Sequence, residues 1–400
     1  MTAERPLTVL HFTNEPVRGG VEEHILRLLI ELDRKRFRPM LVAPPALVEM
    51  LRPDLPGDVE VEPLTLRSPA DLLAAWRFFR LLRRRRVDIL HTHMFQASKF
   101  SSPLGWLARV PAIVETTHVR ELWRKGCLKG SYVVDRFVGR FITKFIAVSA
   151  ANGDYLKNVK GMPERKIAVI RNGTPLERFD PRRVAPPELR QLLGIAERSP
   201  VVVVLARLEP QKGHRVLLDA WKSVAAAFPE ARLVCVGSGS LARDLEAQAA
   251  TLGIASSVRF AGYQSNAADW LALANFTVLP SFYEGLPLVA VESLATGRAV
   301  VATAVDGSAE VVLDGETGLT VPPGEPAPLA EAICRLLASP ELARRLGQRG
   351  RRFVEESFSQ QRQVAETEAL YLDTWRERTG NTAHAGPLSA GAAVLARKPK

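Results

Sequence analysis

The sequence of 400 residues is poor in cysteine and contains no long apolar run. Its three cysteines, Cys127, Cys235 and Cys334, lie far apart without the spacing of a metal site, so no disulfide framework or zinc site is expected. No stretch approaches the ~18 consecutive apolar residues of a membrane-spanning helix. The first residues include an acid and only a short apolar run, unlike a secretory signal. These absences predict a cytoplasmic protein with reduced thiols.

Positive charge is unevenly distributed along the chain, whose formal net charge is +11. Residues 1–180 hold 30 Lys and Arg against 20 Asp and Glu, whereas residues 181–400 hold 24 against 23. The basic half suggests an anionic partner: a membrane surface, a phosphorylated acceptor or nucleic acid. The alternative is an arginine-rich surface that serves only solubility. The hydrophobic content of 46% excludes a wholly disordered chain.

Short β-branched runs alternate with longer amphipathic runs, which is typical of parallel α/β sheets. In the first half, Leu7–Phe12 is predicted as a strand and Val21–Leu32 as a helix. A second series begins with the strand Val201–Leu205. The chain is therefore predicted to form two Rossmann-like, doubly wound domains that face each other across a cleft. We expect a first domain over 1–180, a second over 185–358, a helix over 360–378 that packs back on the first, and a disordered tail over 379–400.

One glycine motif suggests a dinucleotide site. Gly237-Ser238-Gly239-Ser240-Leu241-Ala242 follows a predicted strand and opens a predicted helix. The dinucleotide fingerprint also requires an acid about 20 residues later, and the next strand ends in Phe260-Ala261-Gly262-Tyr263-Gln264 without one. We therefore interpret these glycines as a tight turn that permits close approach of the backbone.

A second set of residues has the chemistry of a diphosphate site. Arg207 follows the strand Val201–Leu205, and Lys212 follows five residues later at the start of a helix. Two cations near a helix N-terminus neutralise a diphosphate, and each charge-assisted hydrogen bond contributes roughly 1.5–3 kcal/mol. Glu284 precedes Glu292 by eight residues, so one carboxylate is expected in a loop and the other in a helix. Such a pair suits a ligand with hydroxyls at two places.

These residues carry a resemblance to the retaining glycosyltransferases of family 4, which have the GT-B fold. The resembling pieces follow one another in the expected order over nearly the whole chain. The chain departs from the family pattern at Ala206, where glycine is usual, and at Asp306-Gly307, which replaces the commoner Gly-Gly. The resembling pieces are Leu7–Gly20, Asp88–His93, Thr116–His118, Ala147–Ser149, Ile170–Gly173, Arg207 with Lys212, Glu284 with Glu292, and Val305–Gly318.

The resemblance implies a donor site in the C-terminal half for a nucleotide-diphosphate sugar, used as a co-substrate with no cofactor. Arg207 and Lys212 would hold the diphosphate and stabilise the leaving group, which makes a metal unnecessary. Glu284 would bind the hydroxyls of the sugar and act in catalysis, and Glu292 would bind the ribose. Further donor contacts implied by the family are those of Gly237, Tyr263, Gly285, Leu286, Pro287 and, from the N-terminal half, Gly19 and Gly20.

For the N-terminal half, the resemblance places His118 beside the transferred sugar as a catalytic residue. His93, Trp123 and Arg124 are candidate acceptor contacts. The predicted reaction moves a sugar, with retention, to a saccharide or lipid-linked acceptor in polysaccharide or lipopolysaccharide synthesis, at the inner face of the plasma membrane. The alternatives are a GT-B-fold nucleotide-sugar epimerase and a basic nucleic-acid-binding protein. The latter is disfavoured because no zinc spacing, RNP-like strand or basic zipper helix is present.

Overall fold

The structure is a computed structural model that describes residues 5–66, 71–121 and 132–380. Its contacts divide the chain into two units. Unit 1 consists of the described residues in Met1–Ala147, Gly153–Ile170 and Gln363–Lys400, and unit 2 consists of Val148–Asn152 and Arg171–Arg362. Within the described residues, no helix has the length and apolar character needed to cross a membrane.

Unit 1 contains a parallel sheet of seven described strands in the order β3-β2-β1-β4-β5-β6-β7. The chain winds outward from β1 in one direction and from β4 in the other, so the switch point lies between these two strands. The strands are β1 Leu7–Phe12, β2 Phe37–Ala43, β3 Glu60–Pro63, β4 Ile89–His93, β5 Ala112–Thr117, β6 Lys144–Ala147 and β7 Ile167–Val169. The helices are α1 Gly20–Glu31, α2 Pro45–Leu51, α3 Leu72–Arg84, α4 Phe95–Leu107, α5 Tyr132–Val138 and, near the C-terminus, most of α15 Gln360–Thr379, while α6 Ala150–Asp154 is divided between the two units.

Both faces of this sheet are covered by helices, which explains why every residue of the central strands β1, β4 and β5 is buried. Alternate residues of a strand point to opposite faces. Leu90 of β4 packs with Phe78 of α3 in one core cluster, which also includes residues of α4 and α5. Its neighbour Ile89 packs with Tyr371 of α15 in the cluster on the other face. The helices α3, α4 and α5 therefore lie together on one side of the sheet.

Unit 2 contains a parallel sheet of six described strands in the order β10-β9-β8-β11-β12-β13, so its switch point lies between β8 and β11. The prediction of two doubly wound α/β units is thus confirmed. The strands are β8 Val201–Leu205, β9 Arg232–Val236, β10 Val258–Gly262, β11 Phe276–Leu279, β12 Val300–Thr303 and β13 Gly318–Val321. The helices are α7 Pro187–Leu192, α8 His214–Ala227, α9 Ala242–Thr251, α10 Ala267–Leu273, α11 Leu288–Ala295, α12 Ser308–Val311, α13 Pro326–Ala338 and α14 Pro340–Ser357.

Candidate active site

The loops that follow β8 and β11 meet at the carboxyl edge of the unit 2 sheet. The backbone N–H of Phe282, after β11, donates to the carbonyl of Gln211, after β8, at 2.8 Å. Gly213 adopts a left-handed φ of +68°, and a Cβ there would lie 2.0 Å from the carbonyl oxygen of Pro280. Only glycine fits this position without a shift, because both the backbone conformation and the space exclude a side chain. The two loops are therefore held in direct backbone contact across the switch point.

An ion pair spans the same two loops. Lys212 Nζ lies 2.6 Å from Glu284 Oε1, which also accepts a hydrogen bond from the Ser281 hydroxyl at 2.7 Å. The side chain of Lys212 is 18% exposed and that of Glu284 is 7% exposed. The pair is therefore recessed, yet the side chain of Lys212 is partly exposed and its ammonium has donors for a further acceptor.

Arg207 lies two residues beyond β8, and its side chain is exposed. Its neighbour Glu209 accepts hydrogen bonds from the backbone N–H and the hydroxyl of Ser240, at 2.9 and 2.8 Å. These bonds, together with the positive charge of Arg207, lower the pKa of Glu209. The carboxylate of Glu209 is thus engaged by Ser240, whereas the side chain of Arg207 is exposed, so that an anion can reach it.

Asp306, where the sequence departs from the family pattern, is accommodated in a left-handed conformation. Its φ is 40°, which lies in a region that residues other than glycine rarely occupy. The Oδ2 atom of Asp306 accepts the backbone N–H of Glu284 at 3.2 Å, so the side chain ties the loop after β12 to the loop after β11. Asp and Asn tolerate this conformation best among the side-chain-bearing residues. The aspartate therefore adds a loop contact that a glycine cannot make.

The remaining donor residues predicted in unit 2 lie on the same edge of the sheet. Gly285, Leu286 and Pro287 are buried in the turn that leads into α11, and Glu292 is a buried residue within α11. Gly237 directly follows β9, where a Cβ would lie 2.0 Å from the Ala206 carbonyl oxygen. Tyr263 directly follows β10 with an exposed ring. Glu284 thus belongs to a loop and Glu292 to a helix, as the spacing indicates, while their ligand roles stay predictions.

The corresponding edge of the unit 1 sheet carries a cluster of five buried histidines. His11 of β1 is the register partner of His91 of β4, and His93 ends β4. Nδ1 of His11 lies 3.2 Å from Nε2 of His93, and Nδ1 of His93 lies 3.3 Å from Nε2 of His118, which follows β5. His24 of α1 packs edge-on against the ring of His118 with the centroids 4.7 Å apart. The predicted residues His93 and His118 are thus brought into direct contact.

Burial keeps four of these rings neutral, those of His11, His91, His93 and His118. Loss of solvation is the largest cause that lowers the pKa of His11, to about 3, and it also lowers the pKa of His91, His93 and His118. Repulsion between neighbouring rings acts in the same direction. Both ring nitrogens of His91 have partners, the hydroxyls of Tyr371 and Thr116. At neutral pH this edge therefore presents hydrogen-bonding groups without net charge.

Two sets of ring nitrogens in this cluster have the donor type that transition metals prefer. His11, His91 and His93 form one set and His24, His93 and His118 the other, each with its nitrogens within 4.8 Å. Both sets share His93, whose two nitrogens already lie at hydrogen-bonding distance from His11 and His118. Hydrogen bonds between neutral rings thus hold His11, His93 and His118 together.

Two residues of this cluster were missed at the level of sequence. His11 occupies the strand end beside β4, and the parallel strands β1 and β4 both carry a histidine near their carboxyl ends. That repetition is the signal that identifies His11. His24 lies inside α1, and its Nδ1 accepts a hydrogen bond from the Gln363 side-chain amide at 2.7 Å. No local pattern predicts this contact, because its partner is distant in sequence.

The other sequence-predicted residues of the N-terminal half lie elsewhere. Gly19 is the N-cap of α1, and Gly20 is the first residue of that helix. A Cβ at Gly20 would meet no atom within 4 Å. Met94, between His93 and α4, has a positive φ of 68°, which marks a strained turn directly beside the histidine cluster. Trp123 and Arg124 lie outside the described residues.

Comparison with known proteins assigns this architecture. The model for glycosyl transferases group 1 matches residues 186–353, and the model for glycosyltransferase family 4 matches residues 18–178. The solved structure of the Anabaena protein HepE in complex with UDP-glucose is similar with a TM-score of 0.79 and 22% identity, covering 92% of this chain and all of that one. The fold is therefore that of the GT-B glycosyltransferases.

Proteins of similar sequence identify the family of glycosyltransferases to which the chain belongs. The D-inositol 3-phosphate glycosyltransferase of Geodermatophilus obscurus is 31% identical over 325 residues, which are 75% of this chain and 69% of that relative. The UDP-Gal:α-D-GlcNAc-diphosphoundecaprenol α-1,3-galactosyltransferase of Escherichia coli is 24% identical over 76% of this chain and 80% of that relative. The chain belongs to glycosyltransferase family 4, and it is a glycosyltransferase.

Proposed function

We propose that this glycosyltransferase moves a sugar from a nucleotide-diphosphate sugar to a saccharide or lipid-linked acceptor, with retention of the anomeric configuration and without a metal. The observation that carries the proposal is the Lys212–Glu284 pair at the switch point of unit 2, with the exposed Arg207 on the same loop. A ligand of a doubly wound sheet binds at the carboxyl ends of the strands beside the switch point. Two cations at that point suit a diphosphate.

The chemistry requires that negative charge be stabilised as the donor breaks. The bond between the anomeric carbon and the diphosphate oxygen breaks, and the nucleoside diphosphate leaves with the electron pair. An acceptor hydroxyl forms the new bond to the anomeric carbon, and its proton would pass to the departing diphosphate oxygen. Lys212 and Arg207 would neutralise the charge that develops on the diphosphate, so they would contribute more to the transition state than to the bound donor. These two cations are the basis for proposing that no metal is needed.

The carboxylates would orient the uncharged parts of the donor. Glu284 would accept hydrogen bonds from sugar hydroxyls while it keeps its ion pair with Lys212. Glu292 would bind the ribose. His118, kept neutral by burial, would bind the transferred sugar by hydrogen bonds without drawing the diphosphate away from unit 2. The other proposed donor contacts are Gly19, Gly20, Gly237, Tyr263, Gly285, Leu286 and Pro287, and the proposed acceptor contacts are His93, Trp123 and Arg124.

The acceptor class is proposed from two supports. One is the activity of the Escherichia coli relative, whose acceptor is a diphosphoundecaprenol-linked sugar. The other is the excess of basic residues in 1–180, which would attract an anionic membrane surface at the inner face of the plasma membrane. Cell-surface polysaccharide or lipopolysaccharide synthesis is the setting that fits both supports.

The test begins with donor binding. We would measure thermal stabilisation by UDP-, GDP- and ADP-sugars, since a ligand that binds only the folded state raises stability by about 2.7 kcal/mol at a hundredfold excess over its Kd. We expect one nucleotide class to stabilise the wild type and Lys222→Ala, which removes an exposed lysine of α8. The same donor should have no effect on Lys212→Ala or Glu292→Ala.

Product analysis then separates transfer from its alternatives. Transfer requires a new glycoside with the donor's anomeric configuration, unchanged in yield after treatment with EDTA. A changed sugar that is formed in the absence of any acceptor would instead indicate an epimerase. A folded protein that no nucleotide sugar stabilises would contradict the proposed donor site.

A further inference from the structure

One side of unit 1 concentrates exposed apolar residues. Of the sixteen large hydrophobic residues that are exposed in the described chain, eight lie on α3, α4 and α5. Adjacent helices of this trio contact one another, and Trp106 of α4 and Phe137 of α5 both pack on Phe141, with centroids 5.4 and 5.5 Å apart. The eight residues are Leu72, Leu73, Trp76, Trp106, Leu107, Val133, Val134 and Phe137. Together with the seven arginines of the next paragraph, they form what is here called the α3–α5 face.

Seven exposed arginines surround these residues. None of the seven pairs with a carboxylate within the described residues. The helices α3 and α4 contain no acidic residue, and the one acid of α5, Asp135, is buried against Lys160 at 3.0 Å. Arg80 instead stacks over the ring of Trp76 at 4.7 Å. The arginines of the face are Arg77, Arg80, Arg83, Arg84, Arg109, Arg136 and Arg140.

The basic character continues beyond the end of α3 into a cleft of about 290 Å³. Arg84, Arg85 and Arg86 line it with Arg5 and Arg38. Three of the five pair with nearby acids, because Arg5 bonds to Asp88 while Arg38 and Arg85 bond to Glu60. Arg84 and Arg86 pair with no carboxylate among the described residues, and so the cleft at the end of α3 retains positive charge.

Helix α14 shows that exposed arginines alone do not make such a face. It also carries exposed arginines, among them Arg345 and Arg349, but Arg344 pairs with Glu341 and Arg351 pairs with Glu355, each at 2.6 Å. No large hydrophobic residue of α14 is exposed. The α3–α5 face differs because its charge is not compensated and its apolar side chains are not covered.

We propose that the α3–α5 face docks this enzyme on an anionic lipid bilayer, with Trp76 and Trp106 at the headgroup level. Tryptophan and arginine on one side of a helix layer are suited to the membrane interface, where the ring is apolar and the cation meets lipid phosphate. The proposal rests on the membrane partner under "Proposed function" and identifies the surface that contacts it.

The chemistry of the face favours a bilayer over other occupants. A second copy related by a two-fold axis would set unpaired arginines against unpaired arginines. A nucleic acid would meet five exposed aliphatic side chains that offer neither hydrogen bonds nor stacking. A bilayer accommodates both features, since aliphatic side chains enter the acyl boundary while arginines remain at the phosphates.

The test is sedimentation of the full chain with vesicles of phosphatidylcholine alone and of phosphatidylcholine with phosphatidylglycerol, at low and high salt. We expect binding only to the anionic vesicles, weakened by salt. Arg80→Glu with Arg84→Glu should reduce the partition coefficient roughly tenfold or more, because each basic residue near an anionic surface contributes about 1 kcal/mol. Trp76→Ser with Trp106→Ser should reduce it as well. The matched control, Arg345→Glu with Arg349→Glu on α14, changes net charge equally and should bind as the wild type does.

Three outcomes would overturn the proposal. The first is equal loss of binding in the α14 control, which would show that net charge alone governs binding. The second is undiminished binding of both face variants. The third is absence of binding of the wild type to the anionic vesicles at low salt. Each variant is also tested for stabilisation by the nucleotide sugar, which reports folding and donor binding. Donor stabilisation without vesicle binding would reject the face and leave the proposed transferase standing.

Discussion

The carboxyl edges of the two sheets are built from the same topology and carry opposite chemistry. In unit 1, His11, His93 and His118 form a buried chain of rings whose lowered pKa keeps them neutral. In unit 2, Lys212 and Glu284 are charged, recessed and tied to their loops by backbone contacts. The edge of unit 1 therefore offers hydrogen bonds without charge, and the edge of unit 2 offers a place for an anion.

The difference lies in which part of the chain carries the functional groups. The unit 1 histidines are mostly on strands or directly after them, where the core removes solvent and disfavours the charged ring. The unit 2 cations are on loops two and seven residues beyond β8, where water still reaches them. A transferred sugar is neutral and its diphosphate is anionic. Under the proposed function, the edge of unit 1 would suit the neutral sugar and the edge of unit 2 would suit the anionic diphosphate.

Unit 1 also contains charged residues in contact with one another, but these are buried in its interior. Lys160 is 1% exposed and lies 3.1 Å from Glu121 and 3.0 Å from Asp135. Burial alone would lower the pKa of Lys160, but the carboxylates of Glu121, Glu115 and Asp135 outweigh it and raise that pKa. Burial is also the main cause that raises the pKa of Glu115. The same residue types therefore stabilise one unit and are available to a ligand in the other.

The substitution of each lysine by methionine gives the largest expected contrast. Lys160→Met leaves buried carboxylates without their cation and should lower the free energy of unfolding by about 3–5 kcal/mol. Lys212→Met should cost roughly 1 kcal/mol, since Glu284 keeps the Ser281 hydrogen bond, but it should abolish stabilisation by the donor. Urea unfolding with and without the nucleotide sugar measures both effects. A Lys160→Met protein as stable as the wild type would show that the buried cluster is not needed for folding.

The next contrast tests the contact between the unit 2 loops. Gly213 and Gly253 have nearly the same left-handed φ, +68° and +73°, but only Gly213 lacks room for a side chain. Gly253→Ala should cost about 1–2 kcal/mol, the usual penalty of that conformation for alanine. Gly213→Ala adds overpacking against Pro280 and should cost roughly 2–5 kcal/mol in total.

Donor affinity distinguishes the same two variants. Gly213→Ala should weaken donor binding because it displaces the loop that carries Lys212, whereas Gly253→Ala should bind the donor normally. Calorimetric titration with the stabilising nucleotide sugar measures the effect. Equal stability and equal affinity of the two variants would mean that the close approach of Gly213 to Pro280 is unimportant.

The sequence predicts the charged edge better than the neutral one, for a physical reason. Arg207, Lys212 and Glu284 lie on loops right after apolar strands, and parallel strands bring their carboxyl ends together. His24, in contrast, joins the cluster through the packing of α1 and its contact with Gln363, 339 positions away. Lys160 likewise meets Glu121 and Asp135 only through tertiary structure. Patterns within the chain identify strand ends, but they do not identify partners set by helix packing.

The neutrality of the unit 1 edge is the subject of the last and smallest prediction, which concerns pH. A histidine has a pKa near 6.5 in an unfolded chain, whereas burial lowers the pKa of His11 to about 3. Below pH ~6.5 the unfolded chain therefore binds protons that the folded chain refuses, and stability falls by about 1.4 kcal/mol per pH unit for each such ring. The free energy of unfolding is therefore unaffected by protonation of His11 above pH 6.5, and it decreases as the pH falls from 6.5 toward the pKa of His11 in the folded protein.

His11→Gln isolates one ring of the cluster, because glutamine keeps a polar side chain that does not titrate. The variant should be less stable than the wild type at pH 7.5, since it loses the contact with His93. Its deficit should shrink by about 1.4 kcal/mol at pH 5.5, where the wild type alone carries the cost of keeping His11 unprotonated. Urea unfolding of both proteins at the two pH values measures this change. A deficit that is the same at both would show that His11 titrates in the folded protein as it does in water, and the contrast between a neutral and a charged edge would then fail at a fully buried ring.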